Sequence, residues 1–179
     1  MGKADFRRFY ETHLPKIYRF VFFRVAGNRH QAEDLTSEIF IKALEHFDSY
    51  DERRSKSSWI FTIARNHLAN YYRSAGRVVT DEDFESLPVA ADDLEERFAA
   101  GEEEEMLIRG IGKLRPKEAE LVRMKYLDEL SYEEMAGVLG RDKGALKVAT
   151  FRAMQQLREV MRPYAPAIEP RTRDDDQQV

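Results

Sequence analysis

SYEEMAGVLGRDKGALKVATF, residues 131–151, carries the signals of two short helices joined by a tight turn. Ser131 and Glu134 stand three apart, the spacing at which each side chain can cap the other's backbone N–H, so a helix should open at Tyr132. Gly140 should end it, because glycine enters the left-handed region without penalty. A second helix follows in GALKVATFRAMQQLREVM, residues 144–161. At about 100° per residue, Ala149, Ala153, Leu157, Val160 and Met161 share the face of Leu146, whereas Phe151 falls with Lys147, Val148, Arg152, Gln155 and Arg158. Met135, Leu139 and Leu146 supply packing, and Ala136 is small where the helices cross. This is helix-turn-helix spacing, in which the second helix can enter a DNA major groove. Lys143, Lys147, Arg152 and Arg158 can then neutralise phosphates or reach base edges. A helical hairpin without a DNA role shares the pattern, so the rest of the chain has to decide.

Upstream of this motif, MLIRGIGKL and PKEAELVRMKYLD read as further helices, the second opened by Pro116 at its first turn. Residues 1–79 also read as helices. Phe6, Phe9, Tyr10, Ile17, Val21 and Val25 recur at helical spacing, with Pro15 expected to kink or restart the helix. Gly27-Asn28 supplies a stop. From about His30, Ala32, Leu35, Ile39, Phe40, Ala43 and Phe47 form a buried stripe. Residues 47–58, FDSYDERRSKSS, are polar enough to be a loop. Helix resumes at WIFTIARNHLANYYRSAGR, with Trp59, Ile60, Ile63, Ala64, Leu68 and Tyr71 facing inward. The fold class is therefore all-α: two small helical domains, residues 1–79 and 106–162, the second a helix-turn-helix domain.

The net charge of −4 conceals where the charges sit. Residues 1–79 hold 14 Lys+Arg against 9 Asp+Glu, net +5, and residues 106–168 hold 12 against 8, net +4. Between them, residues 80–105 hold 1 against 12, net −11. Two basic blocks are joined by an acidic linker, a layout suited to two domains that meet nucleic acid while the strap meets something basic. A solvated, functionless linker has the same composition. Residues 163–179 contain three prolines and no core-forming pattern, and should be disordered.

Several function classes have little support. With no cysteine there is no disulfide, thiolate metal site or cysteine nucleophile. His13, His30, His46 and His67 lack paired metal-ligand spacing, and no glycine-rich phosphate loop is present, so neither catalytic residues, metal nor cofactor is expected. No apolar run approaches the roughly 20 residues of a membrane span, and MGKADFRRFYETH has no signal-peptide core, so a cytoplasmic protein without membrane insertion is expected. Within SKSSWIFTIARNHLANYYR, aromatics, amides and positive charge interleave through Trp59, Asn66, His67, Asn70, Tyr71, Tyr72 and Arg73. Such a surface suits unpaired bases, which stack on rings and bond to amides. Trp59 itself reads better as core.

In order along the chain, QAEDLTSEIFIKALEHF, SSWIFTIARNHLANYYR and LRPKEAELVRMKYLDELSYEEMAGVLG with GALK and FRAMQQLR resemble a bacterial sigma factor of the extracytoplasmic-function (ECF) group. The resemblance covers about residues 5–162. It implies an initiation factor that binds core RNA polymerase and directs it to promoters by recognising minus-35 duplex and melted minus-10 DNA. It places Asp34, Ser37, Glu38, Ile41 and Lys42 on the clamp coiled coil of the polymerase largest subunit. For minus-10 DNA it implies Arg53, Arg54, Lys56, Ser57, Ser58, Asn66, Asn70, Tyr71 and Arg73, with the loop from Asp51 to Ser58 capturing a base flipped from the non-template strand. Capture of that base offsets the few kcal/mol of stacking lost. For minus-35 DNA it implies Lys143, Lys147, Val148, Phe151, Arg152 and Gln155. The strap would thread toward the active-site cleft and RNA exit path, and an anti-sigma factor or other inhibitor is an implied partner.

Some positions depart from the family pattern. Ser37 stands where glutamine is common, and Arg141 where an aliphatic follows the turn glycine. Ala145, Leu146, Val148 and Ala149 stand where Thr, Val, Ser and Arg are frequent, which implies a minus-35 preference of the chain's own. Two other readings stay open at this point. One is a stand-alone helix-turn-helix regulator that dimerises and senses through residues 1–79; the other is a protein that mainly sequesters a partner.

Overall fold

The computed structural model describes residues 3–25, 27–53, 55–74 and 102–164, and its regular elements there are all helical. Helix α1 spans Lys3–Arg24, α2 Arg29–Glu45 and α3 Lys56–Ser74. After the acidic strap, α4 spans Glu102–Gly112, α5 Pro116–Val122, α6 Tyr132–Leu139 and α7 Lys143–Met161. Residues 75–101 and 165–179 lie outside the described residues, so the expected linker falls there almost entirely, as does most of the tail expected to be disordered.

The first three helices pack around Phe9, Ile17, Phe20 and Val21 of α1, Leu35, Ile39, Phe40 and Ala43 of α2, and Ile60, Phe61, Ala64 and Leu68 of α3. Pro15, expected to interrupt α1, lies inside an unbroken helix. A helix-interior proline costs about 3 kcal/mol. Here it is exposed, so the carbonyl it leaves unbonded meets water, while Phe9 and Ile17 on either side hold the helix on the core. Gly27, with φ 71°, turns the chain, and the Asn28 side chain accepts from Gln31 N at 3.1 Å to cap α2. The stripe expected for α2 is buried as read, joined by Thr36. Phe47 sits in a 3-10 turn, Phe47–Ser49, and α3 begins at Lys56, so the expected loop is shorter at both ends.

On α3 the structure redraws the inward face. Phe61 and Tyr72 are buried, whereas Tyr71 is only half-buried. Residues 60, 61, 64, 68 and 72 form one helical stripe wide enough to meet both α1 and α2, and Tyr71 lies at its edge. The Phe61 ring meets Phe20 edge-on at 5.1 Å, and Trp59, half-buried, rests on Phe9 at 5.6 Å and Tyr50 at 5.0 Å.

In the second group α4 starts earlier than expected, at Glu102. Gly110 lets it cross α7 closely, since a Cβ there would lie 2.3 Å from Met161 Sδ. Ile111, Leu114, Ala119, Val122, Ala153 and Leu157 form the core between these helices. Helix α5 runs on into a π-helical turn, Arg123–Leu127, closed by Asp128 N donating to Arg123 O at 2.9 Å. Glu129, at φ 59°, turns the chain into the capping box: Glu134 N donates to Ser131 Oγ at 3.2 Å and Ser131 N to Glu134 Oε2 at 2.8 Å. Gly140 ends α6 at φ 63°, as read, and Asp142 caps α7 through Ala145 N at 2.8 Å, one residue ahead of the expected start. The C-terminal stretch remains ordered through a 3-10 turn, Arg162–Tyr164, two residues into the expected tail.

The two helix groups meet along α3 and α6. Leu121, Met124, Leu130, Met135, Val138 and Leu146 join the apolar cluster built by α1 to α3, so one core is continuous through both groups.

Candidate nucleic-acid and polymerase interfaces

Three surfaces carry the residues singled out by sequence. On α7, Leu146, Thr150, Ala153 and Leu157 are buried, which fixes the helix rotation. Lys143, Lys147, Val148, Phe151, Arg152 and Gln155 are consequently all exposed along the opposite side. Phe151 is 61% and Val148 51% exposed, large apolar groups in a cationic stripe. A phenylalanine left this exposed has a ring face of the kind that can meet thymine methyls and sugar edges. Lys143 is tied to Glu133 of α6 at the entrance of the helix, whereas Lys147 and Arg152 are exposed further along the same side.

On α2, Asp34, Ser37, Glu38, Ile41 and Lys42 are exposed together. Leu44, 56% exposed one turn beyond Ile41 at 57%, extends this patch and was missed by the sequence reading. Its signal was present: an i, i+3 apolar pair off the buried stripe of an amphipathic helix. The Glu38 carboxylate also lies 2.8 Å from His67 Nε2. Burial holds the His67 imidazole below its usual range and Lys42 adds to this, outweighing Glu38.

The residues expected at minus-10 are not all alike. Asn66, Asn70 and Arg73 are exposed on α3, Asn70 accepting from the Arg73 guanidinium. Tyr71 accepts from Gln31 Nε2 at the junction with α2. Arg53 and Lys56 are exposed, and Arg54 lies outside the described residues. Ser57 and Ser58 are half-buried, because the N-terminal end of α3 rests on α6. Ser55 Oγ donates to Glu134 Oε1 at 2.7 Å, and Ser58 Oγ to Glu134 O at 2.9 Å. Burial raises the Glu134 carboxyl, yet donors from Ser131, Ser55 and Ser57 outweigh it and hold it below the usual range.

Deeper in the same seam, Arg24 Nη2 donates to both carboxylate oxygens of Glu120 at 2.6 Å, with both residues 2% exposed. The guanidinium also bonds Phe20 O at 2.9 Å and stacks 3.5 Å from the Phe20 ring centroid. Arg123 Nη2 reaches Glu120 at 3.4 Å. Burial works against the Glu120 carboxylate, but Arg24 and Arg123 together keep it below its usual range. Asp128, 1% exposed beside this cluster, is pushed by burial up to about 7. Sequence reading missed all four, since ordinary charged residues of an amphipathic helix give no sign that a distant segment will cover them.

Residues 9–78 match the family model for sigma-70 region 2, and residues 104–157 that for sigma-70 region 4. The chain belongs to the ECF sigma factors of RNA polymerase. Sigma factors are non-catalytic transcription initiation factors that direct RNA polymerase to promoters. Among relatives, the ECF sigma factor SigM of Bacillus subtilis is 30% identical over 149 residues, covering 83% of this chain and 90% of the relative. The ECF sigma factor BldN of Streptomyces coelicolor is 32% identical over 165 residues, 89% of this chain, which spans 62% of that relative's length. In fold, the chain matches the sigma factor RpoE of Bartonella quintana, solved in complex with the anti-sigma factor NepR, with a TM-score of 0.68 at 24% identity. That match covers 88% of this chain and 97% of the other.

Proposed function

We propose that this chain joins core RNA polymerase through the α2 patch of Asp34, Ser37, Glu38, Ile41, Lys42 and Leu44, and that it reads promoters at two places. The α7 face of Lys143, Lys147, Val148, Phe151, Arg152 and Gln155 takes the minus-35 duplex. The loop before α3, with Arg53, Arg54, Lys56, Ser57 and Ser58, takes the melted minus-10 strand together with Asn66, Asn70, Tyr71 and Arg73. Residues 1–79 and 106–162 act as the two working units, joined by the acidic strap. Exposure of Phe151 and Val148 among cations on the second helix of a helix-turn-helix is the observation that carries the reading, because it pairs a phosphate-neutralising surface with apolar groups for base methyls. The site of action is the cytoplasm, where polymerase works. No helix among the described residues is long and apolar enough to cross a membrane. An anti-sigma factor is the inhibitor class this reading calls for.

Co-purification with core polymerase followed by run-off transcription tests the proposal. Promoter-specific transcripts are expected only when this chain is added to core. Tight, specific duplex binding by the chain alone, with no association with core, would overturn it in favour of a stand-alone regulator.

A further inference from the structure

We propose that the cleft between α3 and α6 binds a small amphiphilic amine, an apolar ring carried on a protonated amino group. This ligand is separate from the core polymerase and promoter DNA of the reading above.

Sequence spacing puts the lining in place. Trp59, Thr62 and Ile63 stand three and four apart and so share one face of α3, and Glu133 and Gly137, four apart, share one face of α6. Ser55 and Ser58 complete the α3 side, and the space between the helices is about 530 Å³, within the roughly 300–1,000 Å³ of small-ligand sites. Gly137 keeps it open, since a Cβ there would press on Ser58 Oγ. Trp59 and Ile63, both half-buried, supply an apolar wall. The polar part of the lining has one chemistry. Ser55 Oγ donates to Glu134 Oε1 at 2.7 Å, Ser58 Oγ to Glu134 O at 2.9 Å and Thr62 Oγ1 to Ser58 O at 2.7 Å. A hydroxyl that has spent its hydrogen keeps lone pairs, so all three oxygens accept and do not donate. Glu133 is the ionisable side chain of the described lining, and its hydrogen bond with Lys143 holds the carboxyl below its usual range, so it is charged at neutral pH. A carboxylate accepts from several donors at once, which leaves room beside Lys143 for a second ammonium. Acceptor oxygens beside a carboxylate call for a cation rich in N–H, and the indole face of Trp59 attracts the same charge. The ring of the ligand lies on Trp59 and Ile63. An anion is refused, because Glu133 repels it and no hydroxyl of the lining donates to it.

Trp59 is the single tryptophan of the chain, so its emission reports the cleft directly. Titrating the full chain with 2-phenylethylamine at neutral pH should give a saturable change in that emission, with a dissociation constant on the order of 1 mM for so small a ligand. The neutral isostere 2-phenylethanol and the anion 3-phenylpropionate should each bind at least about tenfold more weakly. Methylamine, which has the charge without the ring, should leave the emission unchanged. Glu133→Gln should lose about tenfold in affinity for 2-phenylethylamine, while Lys143→Ala, which frees Glu133 from its resident cation, should gain several-fold. Both side chains are exposed, and opposite responses in the two variants separate binding from damage to the fold. Absence of saturation overturns the site. Equal affinity for 2-phenylethanol, an unchanged Glu133→Gln or a loss in Lys143→Ala overturns the assignment to an amine, and a response to methylamine as large as that to 2-phenylethylamine overturns the role of the apolar wall.

Discussion

Lowering the pH from neutral should stabilise this protein through Asp128, and Asp128→Asn should abolish that gain. The carboxyl is 1% exposed, and its Oδ2 is buried without a hydrogen-bond donor. Burial raises it most; Arg24 pulls it back, Glu120 raises it further, and Arg19 and Arg123 lower it, leaving it at about 7 against 3.8 for an aspartate in the unfolded chain. Between about pH 4 and 7 the folded state holds a proton that the unfolded state has released. Protonation thus favours folding fully below about pH 4, and the gain is lost as pH rises through 7. One pK unit is worth about 1.4 kcal/mol, so three units amount to about 4 kcal/mol, with a slope near 1.4 kcal/mol per pH unit inside the window. Urea unfolding of wild type and Asp128→Asn at several pH values from 5 to 7.5 measures the difference between their slopes, so titration of the other groups cancels. The variant should lack the Asp128 slope and gain relative to wild type as pH rises. Parallel curves for the two proteins would show that Asp128 is hydrated in solution, and so that the seam beside Arg24 is not shut.

Lys147→Ala and Arg152→Ala should each weaken minus-35 duplex binding by holoenzyme several-fold and reduce the salt slope by about 1, leaving core binding intact; filter binding at several salt concentrations measures both. Asn66→Ala and Asn70→Ala should slow strand opening more than they weaken closed-complex formation, which permanganate reactivity at unpaired thymines resolves. Phe151→Ala should relax selection at one minus-35 position at a cost of about 1–3 kcal/mol, read from the enriched sequences in a random-promoter selection; an unchanged consensus would remove Phe151 from base recognition.

What could be read from sequence was local. The capping box at Ser131 and Glu134, the left-handed Gly140 and the face of Phe151 all follow from residues within a few turns of one another, and the structure has them as expected. Pro15 misled because propensity weighs a helix by itself, whereas α1 is held by a buried stripe that runs past the proline on the other side. Tyr71 and Tyr72 exchange roles because adjacent aromatics differ by one helical step, and only the positions of α1 and α2 decide which turns inward. Ile41 was read on the outward side of α2, whereas Leu44, one turn further along, was not named on either face. The seam between the two helix groups had no local signal, since its contacts join residues 76 positions apart between α3 and α6 and 96 apart between α1 and α5.

The composition of that seam bears on its reversibility. Apolar burial favours the closed form in proportion to the area covered, and it runs through this seam. Here the base of the seam is ionic: Arg24, Glu120 and Arg123 are stripped of water when closed and regain hydration when open. Desolvation of a buried pair consumes much of its Coulombic gain, so such a contact fixes geometry more than it adds net stability. The rim contacts of Lys16 with Glu129 and of Ser55 with Glu134 are partly solvated and of modest strength. Beside the apolar core that runs through both groups, this ionic base and polar rim specify one closed arrangement of the seam.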